Sequence, residues 1–467
     1  MEKEQVGIIG MSVMGRNLCL NLERNGYFVS IFNRSYKKSK KIVLEHPKKN
    51  IFCFKKIKDF IFSMKRPRKI FLLVQSGIVV DKVIKSILLY LNKYDIIIDL
   101  GNSFYKDTIK REIYLNKLNI KFVGAGISGG EMGALLGPSI MPGCKKSVYD
   151  NIKHIFFDIS AKYNKTPCVD YIGPDGSGHY LKMVHNGIEY GDMQIIAESY
   201  CILKNLLKLN NKEISNIFST WNKGELNSYL IEITSLIFLK KDTDKKYLID
   251  LISDAAKNKG TGKWVCKSSL EIESPLSLII ESVIYRYISS LKHERNCASK
   301  ILIGPKKQFL CKDKDAFIED LRRSLYFSKI ISYSQGFSQL YKISKKKKWN
   351  LNYVNIAKIF RSGCIIRAKF LNKIINAYKK NINLKNLLLD KYFSKIICNY
   401  QFSLRKIVSS SVLYGISIPA FSSAISYYDS YRSKNLPSNL IQAQRDFFGS
   451  HEYERIDVKG SFHTNWK

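Results

Sequence analysis

Apolar and polar positions follow two regimes along this chain. Through about residue 177, short apolar runs alternate with stretches of helical period. The runs at 6–9, 27–32, 69–74, 95–99 and 121–123 are dense in Val, Ile, Leu and Phe, with little polar alternation. Strands buried on both faces of a parallel sheet have that signature, so the pattern predicts βαβ units. Residues 139–143, a helix over about 146–161 and the run 168–172 complete this part. Beyond Gly178 the strand pattern stops. Amphipathic runs at 193–207, 277–290, 318–343, 356–377 and 400–414 predict an all-helical second part. Past Pro437 come a short helix near 442–451 and a polar-aromatic tail, Gly460-Ser-Phe-His-Thr-Asn-Trp466. Such tails usually fray.

The first apolar run leads into Gly10-Met-Ser-Val-Met-Gly15 and then into a helical pattern. Strand, tight Gly turn and helix make the layout of a G-x-G-x-x-G fingerprint, with Ser12 at the middle position. A small residue there still lets a pyrophosphate approach the backbone at the helix N-terminus. The second strand ends in Asn33-Arg34-Ser35, followed by Tyr36, Lys37 and Lys38. An NAD site places a carboxylate there for the ribose hydroxyls, whereas a cation, an amide and a hydroxyl suit a 2′-phosphate. The expected cofactor is NADP. Ligands of open α/β sheets bind outside the carboxyl ends of the strands. The expected cofactor residues are therefore Gly10, Met11, Ser12, Val13, Met14, Gly15, Asn33, Arg34, Ser35, Val74, Gln75, Ser76 and Asn102. The predicted organisation is an α/β Rossmann-type dinucleotide-binding domain over 1–177, a large all-α domain over 178–434 and a C-terminal tail over 435–467.

After the run at 121–123 the chain reads Gly124-Ala-Gly-Ile-Ser128-Gly129-Gly130-Glu131. A Ser-Gly-Gly loop offers backbone N–H groups and a hydroxyl to an anion. With Gly133, these glycines suggest a close backbone approach to something. A helix expected from about Gly178 carries Lys182, His185, Asn186 and Glu189 at i, i+3, i+4 and i+7. Those four share one helical face. Their neighbours Tyr180, Leu181, Met183, Val184, Ile188 and Tyr190 are apolar or aromatic. Burying unpaired polar groups is costly, so a polar stripe on an otherwise buried helix marks a polar pocket. Lys259-Gly-Thr261-Gly-Lys-Trp264 suits a phosphate but lacks P-loop spacing. Arg286, among Ile284, Tyr285, Tyr287 and Ile288, either snorkels or binds an anion. The run 345–348, four lysines, reads as a solvated loop.

Charge changes this picture less than its size suggests. The formal net charge is +38, from 77 Lys and Arg against 39 Asp and Glu. That raises nucleic-acid binding. The cations are spread along the whole length, however, with no Arg-rich arm, zinc-finger spacing or RNA-binding aromatic signature. Their company of Asn, Ile and Tyr points to drift toward residues of A+T-rich codons. A positive potential still draws anionic metabolites. Ten cysteines lie scattered without a Cys-x-x-Cys pair or His-Cys ligand spacing. Reduced, mostly buried thiols in a cytoplasmic protein are expected, and no metal site. The N-terminus lacks a signal-peptide layout, and no apolar run has membrane-spanning length.

The same residues resemble the 6-phosphogluconate dehydrogenase family over essentially the full chain. The resemblance rests on Gly10…Met14-Gly15, Asn33-Arg34, Ile127-Ser-Gly-Gly-Glu131 and Met141-Pro-Gly143. It rests further on Lys182-Met-Val-His-Asn-Gly-Ile-Glu-Tyr-Gly-Asp-Met-Gln194, Lys259 to Trp264, Gln444 to His451 and Gly460 to Trp466. The run 182–194 is the most specific, whereas the glycine, Lys182 and Asn186 pattern over 173–186 is shared with other β-hydroxyacid dehydrogenases. Gln75 stands where the family usually has Lys, Leu100 where Gly is usual, and Cys144 where a second Gly is common.

The resemblance implies NADP-dependent oxidative decarboxylation of 6-phosphogluconate to ribulose 5-phosphate, with formation of NADPH, in the oxidative pentose phosphate pathway. It implies that Lys182 is the base and Glu189 the acid. Asn102, Ser128, Gly129, Gly130, His185 and Asn186 would hold the sugar acid. Tyr190, Lys259, Thr261, Arg286 and Arg445 would hold the phosphate. It further implies a homodimer in which the tail carries Arg445 and His451 into the partner's site. Another β-hydroxyacid dehydrogenase, such as one acting on hydroxyisobutyrate, would share Lys182 and Asn186 but lack the phosphate ligands and the long helical part. A basic nucleic-acid-binding protein would have no use for Glu189. No nucleic-acid or membrane partner is expected.

Overall fold

The computed structural model describes residues 4–257, 260–305 and 309–466. Strands β1 (Gln5–Ile9), β2 (Phe28–Phe32), β3 (Ile51–Phe54), β4 (Lys69–Leu72), β5 (Ile96–Asp99), β6 (Lys121–Ser128) and β7 (Ser139–Gly143) form one sheet. Their order is β3-β2-β1-β4-β5-β6-β7. The first six pair in parallel, and β7 runs antiparallel to β6. The crossovers are α1 (Val13–Arg24), α2 (Tyr36–Glu45), α3 (Ile57–Phe62), α4 (Ile78–Leu88) and α5 (Tyr105–Lys117). Helices α6 (Gly130–Leu136) and α7 (Lys146–Ile159) flank β7. Alternate residues of each strand enter opposite cores. Ile8, Phe71 and Ile98 pack in one, Ile9, Ile70 and Ile97 in the other. Both faces are covered, which is why the runs are apolar without alternation.

Three expectations are corrected in this part. Strand β3 was not anticipated, because it is a short, lysine-flanked edge strand with only Ile51 fully buried. The run 168–172 forms isolated bridges rather than a strand. The glycine-rich stretch after residue 123 is not a loop: β6 continues through Ser128 and pairs with β7. Its glycines serve packing. A Cβ on Gly124 would lie 2.9 Å from His179 Nδ1, and one on Gly126 only 2.3 Å from Lys182 Cβ.

A short hairpin, β8 (Lys162–Tyr163) with β9 (Thr166–Pro167), leads to α8 (Ser177–Asn205), a helix of 29 residues. It unites the polar stripe with the amphipathic run at 193–207, and is buried nearly all round, as the central helix of a bundle must be. Around it lie α9 (Asn211–Lys223), α10 (Tyr229–Ile237), α11 (Thr261–Glu271), α12 (Ser277–Ser290), α13 (Lys292–Ile301) and the 34-residue α14 (Lys314–Lys347). Helices α15 (Tyr353–Ile359), α16 (Leu371–Lys380), α17 (Lys391–Leu413) and α18 (Pro419–Arg432) complete the layer. The lysines 345–347 form the exposed last turn of α14, not a loop. The run 356–377 is two helices, because Gly363 adopts φ +65° and turns its carbonyl toward Ser139 N–H. Among the described residues no helix is long and apolar enough to cross a membrane.

The tail does not fray. Helix α19 (Ser438–Gly449) and the pair β10 (Tyr453–Glu454) with β11 (Ser461–Phe462) fold around the buried Asp446. Its carboxylate accepts from His463 Nδ1 at 2.9 Å, Thr464 N at 3.1 Å and Trp466 Nε1 at 2.8 Å. Leu440, Ile441, Phe447, Phe448 and Ile456 remain exposed around it.

Candidate active site

The crossovers reverse direction between β1 and β4, and the crevice opens there, at the carboxyl ends of the strands. Gly10 has φ +106°, and a Cβ on it would stand 2.4 Å from Leu73 O. One on Gly15 would stand 1.9 Å from Gly10 O. Only glycine lets the turn fold this tightly. Asn33 Oδ1 accepts from Met11 N at 3.0 Å, tying the end of β2 to the turn. The cleft has a volume of about 1080 Å3. Gly10, Met11, Ser12, Met14, Asn33, Arg34, Ser35, Val74, Gln75 and Asn102 all line it, as does Leu100. Three expected residues do not. Val13 opens α1 with its side chain outward, 55% exposed. Gly15 packs under the turn, and Ser76 lies beyond the rim.

The side chains of Arg34, Lys38 and Lys82 line the cleft, and among the described residues no carboxylate or other partner engages them. Ser35 caps α2 from the β region beside them, so a helix N-terminus adds to the positive end. A cleft whose free charges are all positive fits a 2′-phosphate. Sequence reasoning passed over Lys82, together with Val79, Val83 and Ser86 of α4. The signal was their i, i+3, i+4 and i+7 spacing on the helix that follows β4.

Along α8, Lys182 Nζ lies 3.4 Å from His185 Nδ1. The same nitrogen of His185 lies 3.2 Å from Asn186 Oδ1 and 3.8 Å from Glu189 Oε2. Its Nε2 is 3.2 Å from Ser128 Oγ, at the end of β6. The structure thus brings the stripe and the Ser-Gly-Gly turn together. Lys182, His185 and Asn186 are buried, and Glu189 is 22% exposed. Burial holds the Lys182 ammonium below its ordinary value, against the pull of Glu189. Burial, then the charge of Lys182, pushes His185 well down, so its imidazole is neutral. Burial raises the Glu189 carboxyl, with Lys182 and Arg286 opposing and Asp192 reinforcing. A lysine made easier to deprotonate and a glutamate made easier to protonate on one helix suit general-base and general-acid work. The Phe360 ring, just past the end of α15 and 5.3 Å from the His185 ring, closes the stripe and was not anticipated.

Beyond Glu189, Tyr190 meets two other elements. The Arg286 guanidinium stacks 3.4 Å from the Tyr190 ring centroid. The N-terminus of α11 abuts the same ring, where a Cβ on Gly262 would stand 2.8 Å from Tyr190 Cε1. Thr261, the buried first residue of α11, immediately precedes Gly262 there. Lys259 lies outside the described residues. Asn102 lines the cleft. Arg445 and His451 are exposed on the tail, Arg445 bonding Gln442 and His451 packing on Phe448. Among the described residues neither is joined to the stripe. The three departures also have places. Gln75 and Leu100 line the cleft, and the Cys144 thiol is absorbed into the core beneath the sheet.

A doubly wound sheet with a glycine-turn cleft, facing a buried lysine and a glutamate, defines a nicotinamide-dinucleotide-dependent oxidoreductase. A model described as "6-phosphogluconate dehydrogenase, C-terminal domain" matches residues 178–466. One described as "NAD binding domain of 6-phosphogluconate dehydrogenase" matches residues 5–173. The chain belongs to the 6-phosphogluconate dehydrogenase family. It is 60% identical over 466 residues to the decarboxylating 6-phosphogluconate dehydrogenase of Buchnera aphidicola subsp. Acyrthosiphon pisum (strain APS), covering 100% of both chains. It is 55% identical over 467 residues to that of Escherichia coli (strain K12), again covering 100% of both. Among solved structures, 6-phosphogluconate dehydrogenase of Plasmodium falciparum superposes with a TM-score of 0.94 at 45% identity, over 99% of this chain and 100% of that one. That protein was determined in its apo form, with its cofactor NADP+ and with its substrate 6-phosphogluconate.

Proposed function

We propose that this chain oxidises and decarboxylates 6-phosphogluconate to ribulose 5-phosphate and CO2, forming NADPH, as a step of the oxidative pentose phosphate pathway. The observation that carries this reading is the pair on α8: Lys182, held down by burial, two turns from Glu189, held up by it. NADP, when bound, supplies the hydride acceptor, and the turn at Gly10–Gly15 with Arg34, Ser35 and Lys38 would hold it. Neutral Lys182 takes the proton of the substrate hydroxyl as that carbon loses hydride. The lysine, now an ammonium, gives its proton to the new carbonyl oxygen as the β-keto acid loses CO2, leaving an enediol. Glu189, about 10 Å along the axis from Lys182, protonates the carbon that has lost CO2 while Lys182 takes back the hydroxyl proton, giving the ketone. Neutral His185, Asn186, Asn102 and the Ser128–Gly130 turn hold hydroxyls and the carboxylate. Tyr190, Lys259, Thr261 and Arg286 hold the phosphate at the N-terminus of α11.

The same reading makes the enzyme a cytoplasmic homodimer with shared sites, in three parts: 1–177 for NADP, 178–434 for substrate and dimerisation, and a reaching tail at 435–467. The ordered tail with its exposed Leu440, Ile441, Phe447 and Phe448 supports this, since such apolar surface calls for a partner. Arg445 and His451 would then complete the partner's phosphate site.

Purified protein given 6-phosphogluconate should reduce NADP and release CO2 in equal amounts. A folded protein that forms no NADPH would overturn the reading. Lys182→Ala should abolish turnover while NADP binding survives, and loss of binding instead would mean that the lysine is misassigned. Sharing is tested by mixing. Lys182→Ala and Arg445→Ala chains, each almost inactive alone, should regain up to about a quarter of wild-type activity when co-expressed, because half the dimers carry one intact site. Absence of any recovery refutes the shared site.

A further inference from the structure

A segment of the helical part reaches both sides of the substrate site. The chain leaves α15 at Phe360 and re-enters helix at Leu371. At one end, the Phe360 ring packs against His185 at 5.3 Å. In the middle, Gly363 O accepts from Ser139 N at 2.8 Å. That oxygen also lies 2.6 Å from where a Cβ on Gly129 would stand, so strap and turn touch backbone to backbone. Three residues on, Ile366 O accepts a 2.8 Å hydrogen bond from the Tyr333 hydroxyl of α14. The same hydroxyl stands 3.4 Å from Asp192 Oδ2, which also accepts from Lys329. Asp192 is three residues after Glu189, one turn further along α8. All three side chains are buried, and Asp192 Oδ1 has no hydrogen-bond partner among the described residues.

Residues 361–370 contain no helix and only one isolated bridge, Ala368 to Ser228, where Tyr229 N donates to Arg367 O and Lys369 N to Asn227 O. Between that bridge and Gly363, the side-chain anchor is the bond to Ile366. The anchor at Ile366 is a neutral hydroxyl held between a buried ion pair and a main-chain carbonyl. Removing it leaves that carbonyl without its buried donor, at a cost that movement of the strap between Gly363 and Arg367 relieves. Movement of Gly363 carries Gly129 with it, and movement of Phe360 frees the His185 ring. We propose that Tyr333 is a positioning residue for substrate binding: it pins the 360–370 strap to α14, and the strap sets the distance between the Ser128–Gly130 turn and the His185 imidazole. This rests on the reading that those groups hold the substrate. Among the described residues the hydroxyl bonds Ile366 O and meets Asp192, not the side chains of Lys182, His185, Asn186 or Glu189, and it works through the strap.

The test is Tyr333→Phe in the full-length enzyme, which removes one oxygen and keeps the ring. The Michaelis constant for 6-phosphogluconate should rise roughly five- to tenfold, while that for NADP stays within about twofold. Amide hydrogen exchange should quicken in peptides covering 128–133 and 360–366. Ser215→Ala is the comparison, because it removes another buried hydroxyl-to-carbonyl bond, 2.7 Å to Ser235 O, between α9 and α10. It should lower stability similarly and leave both Michaelis constants unchanged. Unaltered substrate affinity and unaltered exchange in Tyr333→Phe would overturn the proposal, as would an equal loss in Ser215→Ala. A wild-type enzyme without activity on 6-phosphogluconate would sink the functional reading alone, and exchange at 128–133 would still decide whether Tyr333 holds the turn.

Discussion

Gly126→Ala tests whether Lys182 is placed by the strand beneath it. Strand β6 crosses α8 so closely that the added Cβ would stand 2.3 Å from Lys182 Cβ and 2.8 Å from its Cγ. Carbon atoms in contact sit about 3.5–4.0 Å apart, so something must give by about 1 Å. The strand has little freedom, since Gly126 pairs with Met141 within the sheet. The side that yields is therefore α8 and the stem of Lys182. Overpacking of this kind costs about 1–3 kcal/mol of stability. Misplacing a reacting group by about 1 Å costs on the order of 100-fold in rate. Steady-state NADPH formation should show kcat lower by about that factor. Affinity for NADP, measured by fluorescence titration, should stay within about twofold, because the cleft is built mainly by the ends of β1, β2, β4 and β5, with Ile127 alone from β6. Gly336→Ala supplies the comparison. Its Cβ would stand 2.7 Å from Ile188 Cδ1, crowding α8 from α14 against a side chain that carries no chemistry. It should lower the melting temperature as much and kcat by only a few-fold. A Gly126→Ala enzyme at wild-type kcat, or a Gly336→Ala enzyme equally slowed, would refute the reasoning.

Arg34→Ala should raise the Michaelis constant for NADP roughly 10- to 100-fold, as loss of a charge-assisted bond does, and leave the poorer use of NAD almost unchanged; equal losses with both cofactors would place the 2′-phosphate elsewhere. The pH profile of kcat/KM should be bell-shaped. The rate climbs as Lys182, whose pKa burial lowers, gives up its proton, and falls as Glu189, whose pKa burial raises, loses the proton it must deliver. Glu189→Gln should erase the alkaline limb, and a retained limb would assign it to another group. Glu198 is a stability matter. Burial raises it to about 7 although Gln194 and the N–H groups of Ala420 and Phe421 bond it. A raised carboxyl contributes stability present below its unfolded value and lost as pH climbs through about 7. Denaturation at about pH 5 and about pH 8 should therefore cost the wild type up to roughly 3 kcal/mol more than Glu198→Gln, and identical pH slopes would show that Glu198 does not titrate there.

Much of the site could be read from residues near one another in the chain. Lys182, His185, Asn186 and Glu189 share a face in any α-helix, whatever packs on it. The turn from Gly10 to Gly15 and the carboxylate-free end of β2 are equally local. The unbroken apolar runs foretold a sheet covered on both faces and located β1, β2, β4, β5 and the start of β6, but not the short edge strand β3. The errors share one cause. The glycines at 124 and 126 read as a loop because nothing nearby in sequence shows that a helix starting more than fifty residues later lies on them. The run 356–377 read as one helix because its periodicity persists across Gly363, whose φ is set by a contact with β7.

What the sequence determined by itself was thus the chemistry on offer: a dinucleotide turn, a cationic end for a 2′-phosphate, and a lysine and a glutamate two turns apart. Backbone geometry decides those facts within a few residues. Tertiary structure alone decided which side of α4 brings Lys82 to the cleft, that Phe360 and Gly363 brace the substrate turn, and that the tail folds around Asp446. It also decided the protonation of the stripe, because the shifts of Lys182 and Glu189 come first from burial, and burial belongs to no residue until distant segments have closed over it.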